Sequence, residues 1–375
     1  MAEVSGTCDE RFEAVRQTFE GNLESGADVG ASVAVALDGE LVVDLWGGWA
    51  DEDRTRPWQR DTIANVWSTT KTMTFVCCLI LADRGELDLD APVATYWPEF
   101  AAEGKDRVAV RHLLSHTAGL SGWDAPMRPE DLADWDRATA ALAAQAPWWE
   151  PGSASGYHAV TQGFLLGEVV RRITGVSIGA FFAQEVARPL GADFHIGLPE
   201  SEDHRVASLV PPPPIDLRAV RASDVAVRTF SNPPLDATQT RHAWWRRAEI
   251  PAANGHGNAR SVALVQSVVA GGGEARGVRL FGERTSERIF EEQSYGTDLV
   301  LGVPLRFGMG YGLRTDLVPI GPRACYWGGY GGSVVVMDLD ARLTVCYVMN
   351  RMESGLVGDP RGMGLVLAAA GSLTG

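Results

Sequence analysis

The sequence of 375 residues is nearly free of lysine. Lysines and arginines together number 33, and only Lys71 and Lys105 are lysine, which leaves 31 arginines. Arginine cannot lose its proton in a protein, whereas a desolvated lysine can become a neutral base. A chain that carries its positive charge on arginine is expected to keep a lysine for chemistry, and Lys71 stands three residues after Ser68.

Cysteine, long apolar runs and metal-binding patterns are also scarce. The five cysteines are odd in number and lack the spacing of a metal site, so buried thiols in a reducing compartment are expected. No histidine pair has metal spacing. No run approaches the roughly 18 apolar residues of a membrane span, and residues 1–7 lack the features of a signal peptide. We therefore expect a cytoplasmic protein without a metal or other cofactor.

Negative charges outnumber positive ones, and the formal net charge is −15. Such an acidic balance argues against nucleic acids and anionic membranes as partners. With 45% hydrophobic residues, the chain can bury a large core. We expect its partner to be a small molecule, and the sequence leaves the oligomeric state open.

Hydrophobic patterns place strands at both ends of the chain and helices between them. A helix with Asp9 as its N-cap is predicted over 9–24, and a β-hairpin over 31–46 with its turn at Asp38-Gly39. Further helices are predicted over 68–84, 162–174 and 362–370, and further strands over 310–314, 324–327, 333–339 and 343–349. The predicted fold class is α/β (α+β), with an antiparallel sheet built from both chain ends, flanking helices and an inserted, mostly helical subdomain.

Because no internal repeat or separating linker is visible, a single domain over residues 1–375 is predicted. Its α/β part covers roughly 1–85 and 255–375, and its helical part with a lid-like loop covers roughly 86–254. The loop is residues 199–240, which are polar and broken by prolines such as Pro211–Pro214. That composition predicts an extended loop or lid.

Ser68-Thr69-Thr70-Lys71 opens one of the predicted helices. Positions i and i+3 lie on one helix face, so the Lys71 amine can reach the Ser68 hydroxyl. A hydroxyl beside a deprotonated amine is an activated nucleophile. Alone, the pattern is weak, since an N-cap serine and a surface lysine would look the same.

Three further patterns follow in a fixed order. They are Leu-Leu-Ser-His-Thr-Ala-Gly-Leu over 113–120, Pro151-Gly152 followed after four residues by Tyr157, and Trp-Gly-Gly over 327–329. With Ser-Thr-Thr-Lys, this ordered set resembles the serine β-lactamase and DD-peptidase superfamily over about residues 30–350. Within it, the sequence is most similar to the class C β-lactamase-like esterases, known as family VIII carboxylesterases.

The resemblance implies a β-lactamase/DD-peptidase-like fold and three catalytic roles. Ser68 corresponds to the acylated nucleophile, and its own N–H to one oxyanion-hole donor. Lys71 corresponds to the partner of the nucleophile on the same helix. Tyr157 corresponds to the tyrosine that passes a proton to the leaving group.

The substrate-binding edge follows from the same resemblance. Trp327, Gly328 and Gly329 take the place of the family's Lys-Thr-Gly strand, and the Tyr330 N–H would be the second oxyanion-hole donor. The glycines would let a substrate approach the backbone closely. His158 adjoins the tyrosine and is expected to line the site.

The start of the helix also predicts electrostatics. Unpaired N–H groups and the positive end of the helix dipole would surround Ser68. That field disfavours a cation, so we expect the pKa of Lys71 to lie well below its usual value near 10.4. The same field favours an oxyanion and, at Tyr157, a tyrosinate.

A second serine pattern competes with the first. Residues 175–179 (Gly-Val-Ser-Ile-Gly) fit the Gly-x-Ser-x-Gly elbow, and Asp193 and His195 follow in the order of a triad. That elbow needs a strand before its serine, whereas residues 162–174 predict a helix. We interpret Ser177 as the N-cap of the next helix. His116 is interpreted as structural.

Two departures argue against β-lactam substrates. The family's Tyr-x-Asn has Ala159 in place of the asparagine that grips a β-lactam side chain. Trp327 and Gly328 replace the lysine and threonine that help hold the carboxylate of penicillins. A neutral ester needs neither contact.

We therefore predict a serine carboxylesterase that hydrolyses small to medium esters through an acyl-Ser68 intermediate, with Lys71 and Tyr157 as the acid/base pair. Three alternatives remain open. An acyltransferase or an amide or D-peptide hydrolase would use the same machinery. A penicillin-binding protein without turnover would be acylated and remain so.

Overall fold

The structure, a computed structural model, describes residues 3–212, 222–355 and 358–373. Its strands are β1 Val4–Cys8, β2 Gly30–Leu37, β3 Glu40–Gly48, β4 Ala64–Asn65, β5 His256–Gly257, β6 Glu274–Ala275, β7 Val278–Arg279, β8 Ser294–Thr297, β9 Pro304–Phe307, β10 Gly312–Leu313, β11 Ala324–Gly328, β12 Val334–Asp338 and β13 Leu343–Met349. Its α-helices are α1 Glu13–Glu24, α2 Lys71–Asp83, α3 Val110–Leu114, α4 Trp135–Ala144, α5 Thr161–Thr174, α6 Ile178–Phe182, α7 Arg188–Leu190, α8 Asp224–Ser231, α9 Ala243–Arg247, α10 Ala259–Ala270, α11 Glu283–Glu287 and α12 Pro360–Gly371.

One antiparallel sheet contains nine of these strands, in the order β1-β3-β2-β13-β12-β11-β10-β9-β8. Its centre joins the two ends of the chain, because β13 pairs with β2 from Leu343 opposite Leu37 to Met349 opposite Ala31. The predicted fold class, with a sheet built from both chain ends, is confirmed. The predicted domain boundaries stay a prediction.

The β2–β3 hairpin shows why the N-terminal segment folds as predicted. Asp38 and Gly39 have φ angles of 51° and 82°. Positive φ at both central residues is the requirement of a type I′ turn, whose twist matches that of the flanking strands. The turn therefore fixes the register of β3 against β2.

Helices cover both faces of the sheet. On β13, Tyr347 points towards Gly362 of α12, and α1 packs beside α12. The opposite face packs against α10, whose first N–H is bonded to the Ser32 hydroxyl of β2. Beyond α10 lies α2, which is buried from Lys71 to Leu81. A helix that is buried on every side is a central element, and it holds Lys71 away from water.

Both lysines are fully buried. The Lys105 amine donates to the backbone carbonyl groups of Ala102 (2.8 Å), Ala143 (3.0 Å) and Gln145. This lysine therefore joins two segments of the helical region through backbone oxygens.

The prediction for residues 199–240 is partly wrong. This stretch contains α8 and two 3₁₀ segments, Glu200–Arg205 and Ala237–Arg241. The proline run extends into residues 213–221, which lie outside the described residues. Strand β1, strands β4 to β9 and the helices α10 and α11 were not predicted. No helix in the described ranges is long and apolar enough to cross a membrane.

Candidate active site

Ser68 lies in a 3₁₀ turn, Trp67–Thr70, between β4 and the first residue of α2. We call Trp67–Thr70 the serine turn. Trp67 has a φ of 46°, a left-handed conformation that is rare for a bulky residue and marks local strain. Its ring packs against Trp245 (5.3 Å between centroids) and against the edge of Tyr330 (5.5 Å). Aromatic packing thus holds the turn that presents Ser68.

Lys71 lies beside Ser68, as the spacing predicted. Its Nζ is 3.1 Å from Ser68 Oγ, 2.7 Å from the carbonyl oxygen of Ala159 and 3.0 Å from that of Ala252. Desolvation lowers the pKa of Lys71 well below its usual value. The direction agrees with the expectation, and its cause is the burial of the amine.

The Tyr157 side chain is the second group that contacts the Ser68 hydroxyl. Its hydroxyl lies 2.5 Å from Ser68 Oγ, and its side chain is buried. Burial raises the pKa of Tyr157, and the negative charge of Asp298 raises it further, against the opposing effect of the Ser68 hydrogen bond. The expectation of a tyrosinate is therefore wrong for the free protein, where Tyr157 is a phenol that can donate a proton.

The direction of each hydrogen bond follows from a count of protons. A neutral lysine amine has two N–H groups and one lone pair. The N–H groups are directed to the carbonyl oxygens of Ala159 and Ala252, so the lone pair faces Ser68. The Ser68 hydroxyl can then donate to Lys71 while its oxygen accepts the proton of Tyr157. Each group is satisfied when both neighbours of Ser68 are neutral.

The end of β11 approaches the serine turn through residues 329–333, which we call the glycine turn. A Cβ atom on Gly329 would lie 2.3 Å from the carbonyl oxygen of Val66, so only glycine fits there. The Ser333 hydroxyl bonds to Thr69 Oγ1 (2.9 Å) and to the Val66 oxygen (3.0 Å). These contacts fix the glycine turn against the residues on either side of Ser68.

Two backbone donors remain available at this junction. Among the described residues, neither the N–H of Ser68 nor that of Tyr330 has a hydrogen-bond partner. The Tyr330 ring contacts Trp67, the neighbour of Ser68. An oxyanion hole requires two such unpaired N–H groups beside the attacking hydroxyl.

An apolar pocket adjoins Tyr157. Its lining consists of Tyr157, Leu301, Leu305, Phe307, Tyr326, Trp327 and Gly328. The Trp327 indole stacks on His116, with 5.4 Å between centroids and 17° between planes. The strand that carries Trp-Gly-Gly therefore forms one wall of the pocket, next to the hydroxyl groups.

His158 does not line this pocket, which corrects the expectation from its position after Tyr157. Its Nε2 accepts the Leu120 N–H (3.1 Å), and its Nδ1 donates to the Gly156 carbonyl (2.6 Å). The side chain is fully buried, and burial lowers its pKa to about 3. His116, whose Nδ1 accepts the His158 N–H, is structural as predicted.

Ser177 is placed as an N-cap, as predicted. Its Oγ accepts the Ala180 N–H (3.2 Å) and donates to Glu249 (2.6 Å). His195 pairs instead with Asp193 (3.0 Å). The second serine thus has a carboxylate and no imidazole as its partner. Across the described ranges, no three His, Cys, Asp or Glu side chains gather as metal ligands.

The sequence reasoning missed the residues that orient the predicted ones. Ala159 and Ala252 contribute only backbone oxygens, which leave no signal in a sequence. Asp298, which contacts the Tyr157 backbone N–H (3.0 Å), starts the run Asp-Leu-Val-Leu-Gly, a pattern compatible with an Asx turn.

Known proteins resemble this chain in both sequence and fold. A family model described as Beta-lactamase matches residues 15–369. Esterase/beta-lactamase LipL of Mycobacterium tuberculosis is 36% identical over 368 residues, which cover 94% of this chain and 84% of the relative. The crystal structure of a family VIII carboxylesterase matches with a TM-score of 0.94 and 45% identity, over 99% of this chain and 100% of that chain.

A penicillin-binding protein homologue from Caulobacter crescentus is also similar, with a TM-score of 0.91 and 39% identity over 99% of this chain and 100% of that chain. The resemblance inferred from the ordered motifs is confirmed. The chain is a hydrolase of the serine β-lactamase fold, and it belongs to the beta-lactamase family.

Proposed function

We propose that this protein is a serine carboxylesterase that hydrolyses small to medium esters through an acyl-Ser68 intermediate. The observation that carries the proposal is the contact of one serine hydroxyl with a desolvated amine and a buried phenol, at 3.1 Å and 2.5 Å. The esterase names of similar proteins support the same conclusion. The proposed chemistry uses only side chains, backbone N–H groups and water.

In the acylation step, Lys71 takes the proton of Ser68 as Oγ forms a bond to the ester carbonyl carbon. The carbonyl oxygen becomes an oxyanion, which the N–H groups of Ser68 and Tyr330 would stabilise by about 3–4 kcal/mol per donor. The bond to the alcohol oxygen then breaks, and Tyr157 gives that oxygen its proton. The proton held by Lys71 restores the phenol, so both groups are neutral again.

In the deacylation step, water takes the position of the alcohol. It loses a proton to the same pair as its oxygen bonds to the acyl carbon, and the bond to Ser68 Oγ breaks with return of the serine proton. The carboxylic acid leaves. Each group therefore acts once as a base and once as an acid, as two-step covalent catalysis requires.

Esters are favoured over β-lactams by the residues at this edge of the sheet. Trp327 and Gly328 stand where the resembled family has the lysine and threonine that help hold a penicillin carboxylate. The small pocket beside Tyr157 is lined by apolar groups apart from the hydroxyl groups of Tyr157 and Tyr326. A neutral group loses less hydration energy than an anion when it contacts such a surface.

The experiment compares hydrolysis of p-nitrophenyl acetate, p-nitrophenyl butyrate and a chromogenic cephalosporin by wild type, Ser68→Ala and Ser177→Ala. We expect fast ester turnover in wild type and Ser177→Ala, loss of turnover in Ser68→Ala, and little loss of cephalosporin. Ester turnover that survives in Ser68→Ala would contradict the proposal. Acyl transfer to an added alcohol in preference to water would identify an acyltransferase.

A further inference from the structure

Asp298 is a buried carboxylate that has no role in the proposed mechanism. It follows β8 and is 1% exposed. Its Oδ1 accepts three backbone N–H groups, from Tyr157 (3.0 Å), Val300 (2.9 Å) and Leu301 (2.9 Å). One oxygen atom thus joins the main chain of Tyr157 to a turn that is far away in the sequence.

A backbone hydrogen bond attaches the turn that follows Asp298 to the segment before Tyr157 at a second point. The Leu299 N–H donates to the Ser155 carbonyl (2.8 Å), two residues before Tyr157. Within the turn, Asp298 donates to Val303 (3.0 Å) and accepts from Gly302 (2.9 Å). Residues 298–303 therefore form a closed turn that is fixed to residues 155–157, and Leu301 from this turn lines the apolar pocket.

Burial of the Asp298 carboxylate at this position costs free energy. Its Oδ2 has no hydrogen-bond partner among the described residues, and no described Lys, Arg or His forms an ion pair with it. Burial of a carboxylate with an unsatisfied oxygen costs free energy that an unspecialised turn would avoid. The Tyr157 ring faces Lys71 (4.8 Å from Nζ to the ring centre), His116 (5.0 Å between rings) and Trp327 (6.1 Å between rings). Asp298 adds a negative charge close enough to act on the Tyr157 hydroxyl.

We propose that Asp298 is a positioning residue for Tyr157, which holds the phenol at Ser68 and fixes one wall of the apolar pocket as a single unit. This inference rests on the proposed function. The turn and the segment before Tyr157 are linked at two points, so displacement of one displaces the other. Movement of the turn would thereby shift the Tyr157 hydroxyl relative to Ser68.

Loss of this alignment has a specific kinetic signature. An alkyl ester releases a strongly basic alkoxide, which needs the Tyr157 proton as it leaves. A p-nitrophenyl ester releases a weakly basic phenolate that leaves without one. A displaced Tyr157 therefore slows alkyl esters more than p-nitrophenyl esters, whereas a general folding defect slows both alike.

The test measures kcat/KM for ethyl butyrate and p-nitrophenyl butyrate in wild type, Asp298→Ala, Asp298→Asn and Tyr157→Phe. We expect the ratio of ethyl to p-nitrophenyl ester to fall about tenfold or more in Asp298→Ala and Tyr157→Phe. Asn keeps an oxygen for the three N–H groups, so it should restore most of the ratio. The matched control is Asp83→Ala, since Asp83 also accepts a backbone N–H, from Gly282 (2.8 Å), at the distant end of α2.

An equal loss for both esters in Asp298→Ala, or an unchanged ratio, would overturn the proposal. If Asp298→Ala does not fold, Asp298→Glu carries the test, because its longer side chain keeps the charge but cannot place one oxygen on three N–H groups. An unchanged ratio in folded Asp298→Glu would also overturn it. Failure of the proposed function is distinct, since wild type would then hydrolyse neither ester.

Discussion

Burial acts in opposite directions on the two titratable groups that contact Ser68. It lowers the pKa of Lys71 and raises the pKa of Tyr157, because in each case it disfavours the charged form. One physical cause therefore suits Lys71 to the role of base and Tyr157 to the role of acid in the proposed mechanism.

At the residue scale, Lys71→Arg should reduce kcat/KM for p-nitrophenyl butyrate by roughly 10²-fold or more. The guanidinium keeps the charge but cannot accept the serine proton. The same substitution in the other buried lysine, Lys105→Arg, is the control, and it should lower the melting temperature while the folded fraction stays active. Retention of more than about a tenth of the rate in Lys71→Arg would exclude a general-base role.

The pH dependence of kcat/KM tests the same assignment. The proposed mechanism needs neutral Lys71, so activity should rise with pH as Lys71 loses its proton. Because burial lowers the pKa of Lys71, the rise should be complete well below the usual lysine value near 10.4. The raised pKa of Tyr157 should prevent a fall at moderately alkaline pH. A rise centred near the usual lysine pKa would contradict a desolvated base.

A sequence predicts the contacts that side chains make in the site better than the hydrogen bonds that the backbone makes there. Spacing predicted the contact of Ser68 with Lys71, and the order of the motifs predicted Tyr157. The bonds that orient Lys71 come from the backbone of Ala159 and Ala252, where the side chain carries no information. His158 was misplaced because its two ring bonds to backbone groups depend on the packing of distant segments.

At the element scale, two short turns fit together at the site. The serine turn stores strain at Trp67, and the glycine turn packs against it through hydrogen bonds of Ser333. Tight backbone contact makes this junction sensitive to a single methyl group. Strain of this kind persists only where surrounding contacts determine the backbone conformation.

Gly329→Ala should reduce ester hydrolysis sharply. Its Cβ atom would lie 2.3 Å from both the Val66 oxygen and Ser333 Oγ, so the glycine turn must move away from Ser68. We expect kcat to fall by at least about tenfold, since loss of one oxyanion donor costs roughly 10²-fold when complete. Initial rates with p-nitrophenyl acetate measure the loss of activity, and circular dichroism shows whether the variant is folded.

The matched control for that substitution is Gly21→Ala on α1, where nothing lies within 4 Å of the added atom. Alanine in a helix interior should leave activity unchanged and stabilise the protein by about 0.5–1 kcal/mol. Equal activity of the two variants would mean that the glycine turn does not shape the site.

Local patterns predicted the long strands of the sheet and the helices α1, α2, α5 and α12, but they missed α10, although nearly all of it is buried. The prolines between 199 and 240 concealed α8, although Ser223 caps it by accepting the Ala226 N–H (3.0 Å). Strand β8 is mostly exposed, so it lacks the alternation that marks a half-buried strand. Its pairing with β9 is a tertiary contact that composition does not encode.

At the scale of the whole molecule, an ionic cluster joins the chain ends to the site. Arg361, in the first turn of α12, binds Asp28 (2.9 Å) and Asp359 (2.5 Å). It also donates to the Gly331 carbonyl of the glycine turn (3.0 Å). The C-terminal helix thus supports the backbone next to Tyr330, from the opposite face of the sheet to α10.

Buried histidines should make the protein sensitive to acid. Burial lowers the pKa of His158 and His256 to about 3 and that of His116 well below its usual value. The folded state keeps them neutral while the unfolded state binds their protons below about pH 6.5. Stability is therefore fully present above that pH and falls as pH decreases, by up to about 1.4 kcal/mol per histidine and pH unit.

Denaturant unfolding between pH 7 and 5 measures this fall in stability. Asp28 opposes the fall by one proton, because burial raises its pKa to about 6 in the folded state. His256→Gln should make the dependence shallower, because its ring nitrogens have no partners among the described residues and its proton uptake is lost. A stability that does not change with pH in this range would contradict the expectation.

The burial of both lysines has a practical consequence for handling the protein. Reagents that couple to surface lysines, such as activated esters for dyes, cross-linkers or solid supports, have no lysine side chain to react with on the outside of this molecule. An active-site amine that a small substrate can approach would be the exception. Coupling through a lysine side chain therefore calls for an introduced lysine at the surface.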